Sequence, residues 1–156
     1  MSPAQALALS ASAAVMAVPM ASKAQPAGDA SPVPYVVTGD AILEPLGGLR
    51  GDAARGRVLI GERHRSLCIL CHAVPEGAPA LQGTLAPGLA GIGSRLDEGQ
   101  IRLRIVDMKR LNPDSLMPAY HSPQAGARAA PAWRGKPVLG AGEIEDLVAY
   151  LVTLKG

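Results

Sequence analysis

The recurrence of apolar residues near the end of the chain predicts an α-helix with one buried face. Five positions follow the i, i+3, i+4, i+7, i+8 spacing of a helix face, namely Ile144, Leu147, Val148, Leu151 and Val152. Acidic residues are concentrated at the start of this stretch and Lys155 follows it, as the helix dipole favours. This is the clearest helix in the sequence.

A first helix is predicted to begin after Asp52, because aspartate is a preferred N-cap residue. Its apolar residues recur at roughly helical spacing, at Ala53, Ala54, Val58 and Leu59. Gly56 weakens this helix intrinsically, which is explained if another helix crosses it closely.

Another helix is predicted to begin at Asp97 and Glu98. Its apolar residues are expected to face inward, namely Ile101, Ile105 and either Val106 or Met108. Its basic residues are expected to face outward, namely Arg102, Arg104 and Lys109. The helix ends near Leu111, because Asn112 precedes Pro113 and a residue before proline disfavours the helical conformation. Long loops separate the helices, so the predicted fold class is all-α.

The first 51 residues are predicted to lie outside the folded domain, which is assigned to residues 52–156. Residues 4–20 form a short alanine-rich run followed by small residues, which is typical of a signal peptide over residues 1–24. A membrane anchor is the alternative, but the run is short and no stop-transfer basic flank follows it. Residues 25–51 are rich in Pro and Gly and predict an extended arm, interpreted as a solvated linker rather than a partner-binding strap.

Composition narrows the function further. The 156 residues are 48% apolar but only 3% aromatic, which leaves space in the core for an apolar cofactor such as a porphyrin. Domains rich in Ala and Leu also fold without a cofactor, so composition alone does not establish that this domain binds one. The formal net charge is +2, and no basic stripe is interleaved with aromatic residues, so nucleic-acid binding is not predicted.

The motif that carries chemistry is Cys68-Ile69-Leu70-Cys71-His72, the Cys-x-x-Cys-His pattern of covalent haem attachment. Cys68 and Cys71 are predicted to form thioethers with the two vinyl groups of one haem, which brings His72 to the iron as an axial ligand. A thioredoxin-type dithiol and half of a zinc site are the alternatives. The dithiol predicts a βαβ pattern upstream, which is absent from this sequence. A zinc site needs a second cluster of ligand residues, and this sequence offers too few donors to form one.

The other axial position has four candidates in this sequence: Met108, Met117, His64 and His121. Met117 is favoured, because it follows a helix and precedes Pro118, which biases its backbone toward an extended conformation. Met108 is expected to pack on its own helix, and the two histidines are expected at the surface. Pro87 is a candidate for accepting the second ring N–H of His72 through its backbone carbonyl.

Residues 52–155 resemble a class I cytochrome c. The resemblance rests on the helix with Gly56, Cys-x-x-Cys-His, Pro-Gly-Leu-Ala-Gly at 87–91, Met117-Pro118 and the closing helix. It implies that the first and last helices cross at Gly56 near Tyr150. It also implies that Pro87 accepts a hydrogen bond from His72 and that Met117 is the distal iron ligand.

A narrower resemblance is to the SoxX family, carried by longer phrases such as Leu-Asn-Pro-Asp-Ser-Leu-Met-Pro-Ala-Tyr at 111–120 and Gly-Lys-Pro-Val-Leu at 135–139. SoxX is the monohaem subunit of the periplasmic SoxAX complex, which joins thiosulfate to a carrier cysteine. The resemblance implies a SoxA partner and electron relay to a soluble cytochrome c. A free-standing electron carrier and a haem enzyme with an open iron position are the alternatives.

Five arginines come shortly before the haem-attaching segment in the sequence, at positions 50, 55, 57, 63 and 65. They are interpreted either as a basic rim that steers an acidic redox partner or as a solvated face.

Overall fold

A computed structural model describes residues 31–75, 81–122 and 134–156. Within these ranges the regular elements are four α-helices: α1 (Ala53–Ile60), α2 (Ile92–Arg95), α3 (Glu98–Asp107) and α4 (Ala141–Leu151). Extended pairing in the described ranges is confined to isolated bridges, such as the one between Thr38 and Ala41, so the all-α prediction is confirmed. No helix among the described residues has the length and apolarity to cross a membrane. The predicted signal peptide lies outside the described residues.

The predicted N-cap at Asp52 and the predicted helix start at Asp97 and Glu98 are both present. The Asp52 carboxylate accepts the backbone N–H groups of Ala54 at 2.8 Å and Arg55 at 3.1 Å, which satisfies donors that the first turn of α1 leaves free. Asp97 and Gln100 form a reciprocal capping box at the start of α3. After Asp107 the chain continues as a 3₁₀ turn over Met108–Arg110, so the predicted end near Leu111 is confirmed.

The core is built where α1 crosses α4. Gly56 is buried in α1, and a Cβ atom at this position would lie 1.9 Å from the carbonyl oxygen of Asp146 and 2.8 Å from Cβ of Tyr150. Only glycine allows the two helix backbones to approach this closely. The crossing that the resemblance implied is therefore present.

The arm packs against the helices over its described part, residues 31–51, so its interpretation as a solvated linker is wrong there. Ile42 and Leu46 are each only 1% exposed and belong to the core. The backbone N–H of Ile42 donates to the carbonyl of Gly99 at 3.0 Å, and that of Leu46 donates to the carboxylate of Glu145 at 2.9 Å. These long-range bonds hold the arm across α3 and α4.

Arg102 is buried, at 1% exposure, so the prediction that it faces outward is wrong. Its guanidinium forms a two-bond ion pair with Glu145, at 2.8 and 2.9 Å, and donates to the carbonyl of Ile42 at 2.7 Å. The burial of both charges is tolerated because each has a charged partner and a backbone partner. This cluster joins α3, α4 and the arm.

His121 is fully buried, so its predicted surface position is also wrong. Its ring lies between the arm and the segment that precedes α4. Nε2 is 2.9 Å from the backbone nitrogen of Val33, and Nδ1 is 3.2 Å from the carbonyl oxygen of Leu139. Two backbone partners replace the water that an exposed imidazole would have. His64, by contrast, is exposed as predicted.

Candidate cofactor site

A cavity of about 500 Å³ lies between the helices and the loops, and it brings together all five residues that the sequence singled out. They come from three separate stretches of the chain: Cys68, Cys71, His72, Pro87 and Met117. Aliphatic side chains from α1, α3 and α4 supply most of the remaining wall, including Ile60, Ile105 and Leu147. The site is thus an apolar chamber with two thiols and an imidazole in its lining.

The two cysteines and His72 belong to a tight turn. Leu67 has a left-handed backbone, with φ of 62°, immediately before the 3₁₀ turn Cys68–Leu70. A left-handed conformation costs a residue with a side chain about 1–2 kcal/mol. The carbonyl of Cys68 then accepts the backbone N–H of His72 at 2.9 Å. The strained residue therefore reverses the chain so that both thiols and the imidazole line one cavity.

The imidazole of His72 is oriented by the loop opposite. Its Nδ1 lies 2.7 Å from the carbonyl oxygen of Pro87, so the predicted hydrogen bond is present. Three backbone bonds hold this loop beside the turn, from Gly83 to Ile69, from Ala86 to Cys71 and from Leu89 to Ala73. Because Nδ1–H donates to a carbonyl, Nε2 keeps its lone pair and can serve as an iron ligand.

Two of the four candidates for the other axial position line the cavity: Met117, as predicted, and also Met108. Met117 is partly buried, and its backbone N–H donates to Oγ of Ser115 at 3.2 Å. His64 and His121 are not among the lining residues. The choice in this site is therefore between two thioethers.

The surroundings of the cysteines argue against the two other chemistries. Burial raises the pKa of the Cys68 thiol, whereas a reactive dithiol needs a thiol whose pKa is lowered. The Cys68 thiol donates to the carbonyl of Ser66 at 3.5 Å, and burial raises the pKa of the neighbouring Tyr120 phenol as well. Across residues 31–75, 81–122 and 134–156, no group of three or more His, Cys, Asp or Glu side chains is arranged to hold a metal ion.

The lining suits a porphyrin in charge as well as in polarity. Arg95 and Arg104 are the cationic residues among those that line the cavity. Arg95 also donates to the carbonyl of Ala90, and Arg104 pairs with Asp40 of the arm at 3.4 Å. A haem is an apolar disc that carries two propionate carboxylates, so an aliphatic chamber with two guanidinium groups matches its chemistry. The residues present fit the group that the motif implies.

The five-arginine rim is largely committed to internal contacts. Arg55 pairs with Asp146 at 2.7 Å, and Arg65 pairs with Glu143 and donates to the carbonyl of Val138. Arg63 donates to the carbonyl of Leu81. These contacts favour a role in holding α1 and the haem-attaching segment against the rest of the domain over steering by all five arginines.

Sequence reasoning missed the roles of Tyr120 and Leu67 in this cavity. Tyr120 lies three residues after Met117, and its position in a Pro-rich loop gave no sign of burial. Leu67 is an ordinary apolar residue in sequence, and its left-handed conformation is visible only in the folded chain. For Arg95 and Arg104 a signal was present, because a haem carries two carboxylates and cations close to the apolar helix positions are suited to pair with them.

Comparison with known proteins places this geometry in context. No family profile and no curated protein sequence matches the chain. Among solved structures, it is similar to a chain of SoxXA from P. pantotrophus, with a TM-score of 0.72 and 29% identity over 81% of this chain and 98% of that one. It is also similar to the c-type cytochrome SorU from Sinorhizobium meliloti, with a TM-score of 0.43 and 22% identity over 67% of this chain and 91% of that one. The first likeness extends over nearly the whole solved chain.

Proposed function

We propose that the chain, a c-type cytochrome of the class I fold with an electron-transfer role, is the monohaem subunit of a SoxAX-type complex. The observation that carries this proposal is its likeness to a chain of SoxXA over 98% of that chain. Such a complex acts as an L-cysteine S-thiosulfotransferase in thiosulfate oxidation. In it, this chain receives electrons from a SoxA-like dihaem or monohaem partner and passes them to a soluble cytochrome c in the periplasm.

One haem c is held by residues of the cavity. Cys68 and Cys71 would form the thioethers, and His72, through Nε2, and Met117 would hold the iron. The haem supplies a centre that gains and loses one electron at a time. Arg95 and Arg104 would offset the negative charge of its propionates. With both ligands bound, the iron would have no open position, so the role proposed for this chain is electron transfer rather than substrate chemistry.

The surrounding residues maintain the redox centre. The Pro87 carbonyl fixes the orientation of the His72 ring and increases its donor strength. The aliphatic walls exclude water, and a dry, low-dielectric site together with a thioether ligand favours a higher reduction potential than two imidazoles would. These residues therefore determine the reduction potential at which the chain accepts an electron.

Replacing Met117 with leucine is expected to remove the iron–sulfur bond while leaving the haem covalently attached. Leucine matches methionine in volume, so packing changes little. The oxidised protein is expected to lose its weak far-red sulfur-to-iron absorption band and to bind carbon monoxide readily when reduced. Met108→Leu is the matched control, because Met108 lines the same cavity. Loss of the band in Met108→Leu instead would reassign the ligand to that residue.

Purification from the native periplasm tests the partner. A SoxAX subunit is expected to co-purify with a second haem-containing chain in a constant ratio, visible by haem staining on a denaturing gel. A free-standing carrier, the alternative function, is expected to elute alone with an intact haem. If the chain elutes without a second haem-containing chain, the subunit proposal is contradicted and the haem assignment is unaffected.

A further inference from the structure

His121 is a buried titratable side chain that the proposed function does not use, and it lies four residues after Met117. Its Nε2 is 2.9 Å from the backbone nitrogen of Val33 in the arm. A backbone N–H only donates, so Nε2 must accept and Nδ1 must carry the ring proton. Nδ1–H therefore donates to the carbonyl of Leu139, 3.2 Å away. The ring thus bridges two segments with its tautomer fixed by both.

Backbone hydrogen bonds also hold the segment that follows Met117. After it, the N–H groups of Tyr120 and His121 donate to the last turn of α3, to the carbonyls of Ile105 and Val106 at 3.3 Å each. The carbonyl of Tyr120 accepts the N–H of Leu139 at 2.9 Å. The two bonds to Leu139, one from backbone and one from the His121 ring, clamp the segment after Met117 to the segment before α4.

We infer that His121 is a positioning residue for the Met117 thioether, acting through the short segment that joins them. A metal ligand must be held to within about 0.5 Å by the residues that support it. The two bonds from Tyr120 and His121 to α3 are long, at 3.3 Å, and run only to main-chain carbonyls. The imidazole adds a second bond to Leu139 and a bond to the arm, and so also restrains the segment from the side of the arm. This inference rests on the proposed ligation by Met117.

The test compares the affinity of ferric holoprotein variants for added imidazole, which competes with Met117 for the iron. His121→Leu removes both ring bonds, and its apparent affinity is expected to rise about tenfold, because the lost hydrogen bonds no longer help to hold Met117 at the iron. His121→Gln is expected to stay near the wild-type affinity, because its amide can donate to Leu139 and accept from Val33. The affinities are measured without denaturant, at a pH and temperature at which every variant is folded.

Ser66→Ala is the matched control for general destabilisation. Ser66 is also fully buried, and its hydroxyl donates to the backbone carbonyl of Leu59 at 2.6 Å. It lies just before the haem-attaching segment in sequence, and not in the segment that carries Met117. It is expected to lower the urea midpoint without raising imidazole affinity. If His121→Leu binds imidazole no more tightly than Ser66→Ala, the positioning role is overturned while the haem proposal stands.

Two further outcomes are distinguishable. If wild-type ferric protein has no far-red band, ligation by Met117 fails and the role of His121 fails with it. If His121→Leu does not mature, Val33→Pro is used, because proline has no N–H to donate and leaves the His121 ring in place. A rise in imidazole affinity in Val33→Pro supports the inference, and an unchanged affinity contradicts it.

Discussion

Glu145→Leu is expected to lower the free energy of unfolding by about 3–5 kcal/mol, the cost of leaving one charge of a buried ion pair without its partner. The side chains of Arg102 and Glu145 are only 2% and 4% exposed, so water cannot replace the lost carboxylate. The same substitution also removes the acceptor of the Leu46 N–H. Urea unfolding of the holoprotein, followed by circular dichroism, measures the loss.

A double-mutant cycle separates the pair from its backbone contacts. Arg102→Met combined with Glu145→Leu removes both charges, so its loss is expected to be smaller than the sum of the two single losses. It remains less stable than the wild type, because the Ile42 carbonyl and the Leu46 N–H lose their partners. Arg110→Met, which breaks an exposed pair with Asp107, is the control and is expected to cost less than about 1 kcal/mol. A similar value for Glu145→Leu would disprove the role of the buried pair.

Gly56→Ala is expected to destabilise the protein by about 2–3 kcal/mol, although alanine favours helices in general. The added methyl group would lie 1.9 Å from the Asp146 carbonyl oxygen, which is helix backbone and cannot move alone. The Asp146 side chain also holds Arg55 and the backbone N–H of Asp52, so α4 is fixed to the start of α1. The helices must therefore separate. Thermal unfolding of the holoprotein measures the effect.

Gly142→Ala provides the matched comparison within α4. A Cβ atom there would meet only Leu49, at an ordinary contact distance of 3.9 Å. Its substitution is expected to be neutral or to stabilise by up to about 1 kcal/mol through helix propensity. Equal effects at the two glycines would show that the crossing does not depend on the missing side chain.

The local signals in this sequence predicted local structure well. The N-caps at Asp52 and Asp97 and the apolar spacing of α4 depend on neighbours within a few residues, so they are readable without the fold. The haem-attachment motif is likewise contiguous, and the cavity forms around it. Pro87 was assigned as the partner of His72 from a resemblance, and the folded chain has that hydrogen bond.

The errors concern polar residues whose partners are far away in sequence. Arg102 was placed outward because a charged side chain on a single helix is usually solvated, but its carboxylate partner lies 43 residues later and its carbonyl partner 60 residues earlier. His121 was placed at the surface for the same reason, and Val33 is 88 residues away. Periodicity describes one element at a time and cannot anticipate a partner contributed by a third segment.

The bond between the Leu46 amide and Glu145 spans 99 residues and sets an order of assembly. Synthesis proceeds from the N-terminus, so residues 42–46 exist long before the helix that receives them. Ile42 can bond α3 earlier, but Leu46 reaches its partner only after α4 has been made, and closures over such a separation are slow. The Leu46 contact is therefore one of the last long-range contacts that can form, after the whole Cys68–His72 segment has been made.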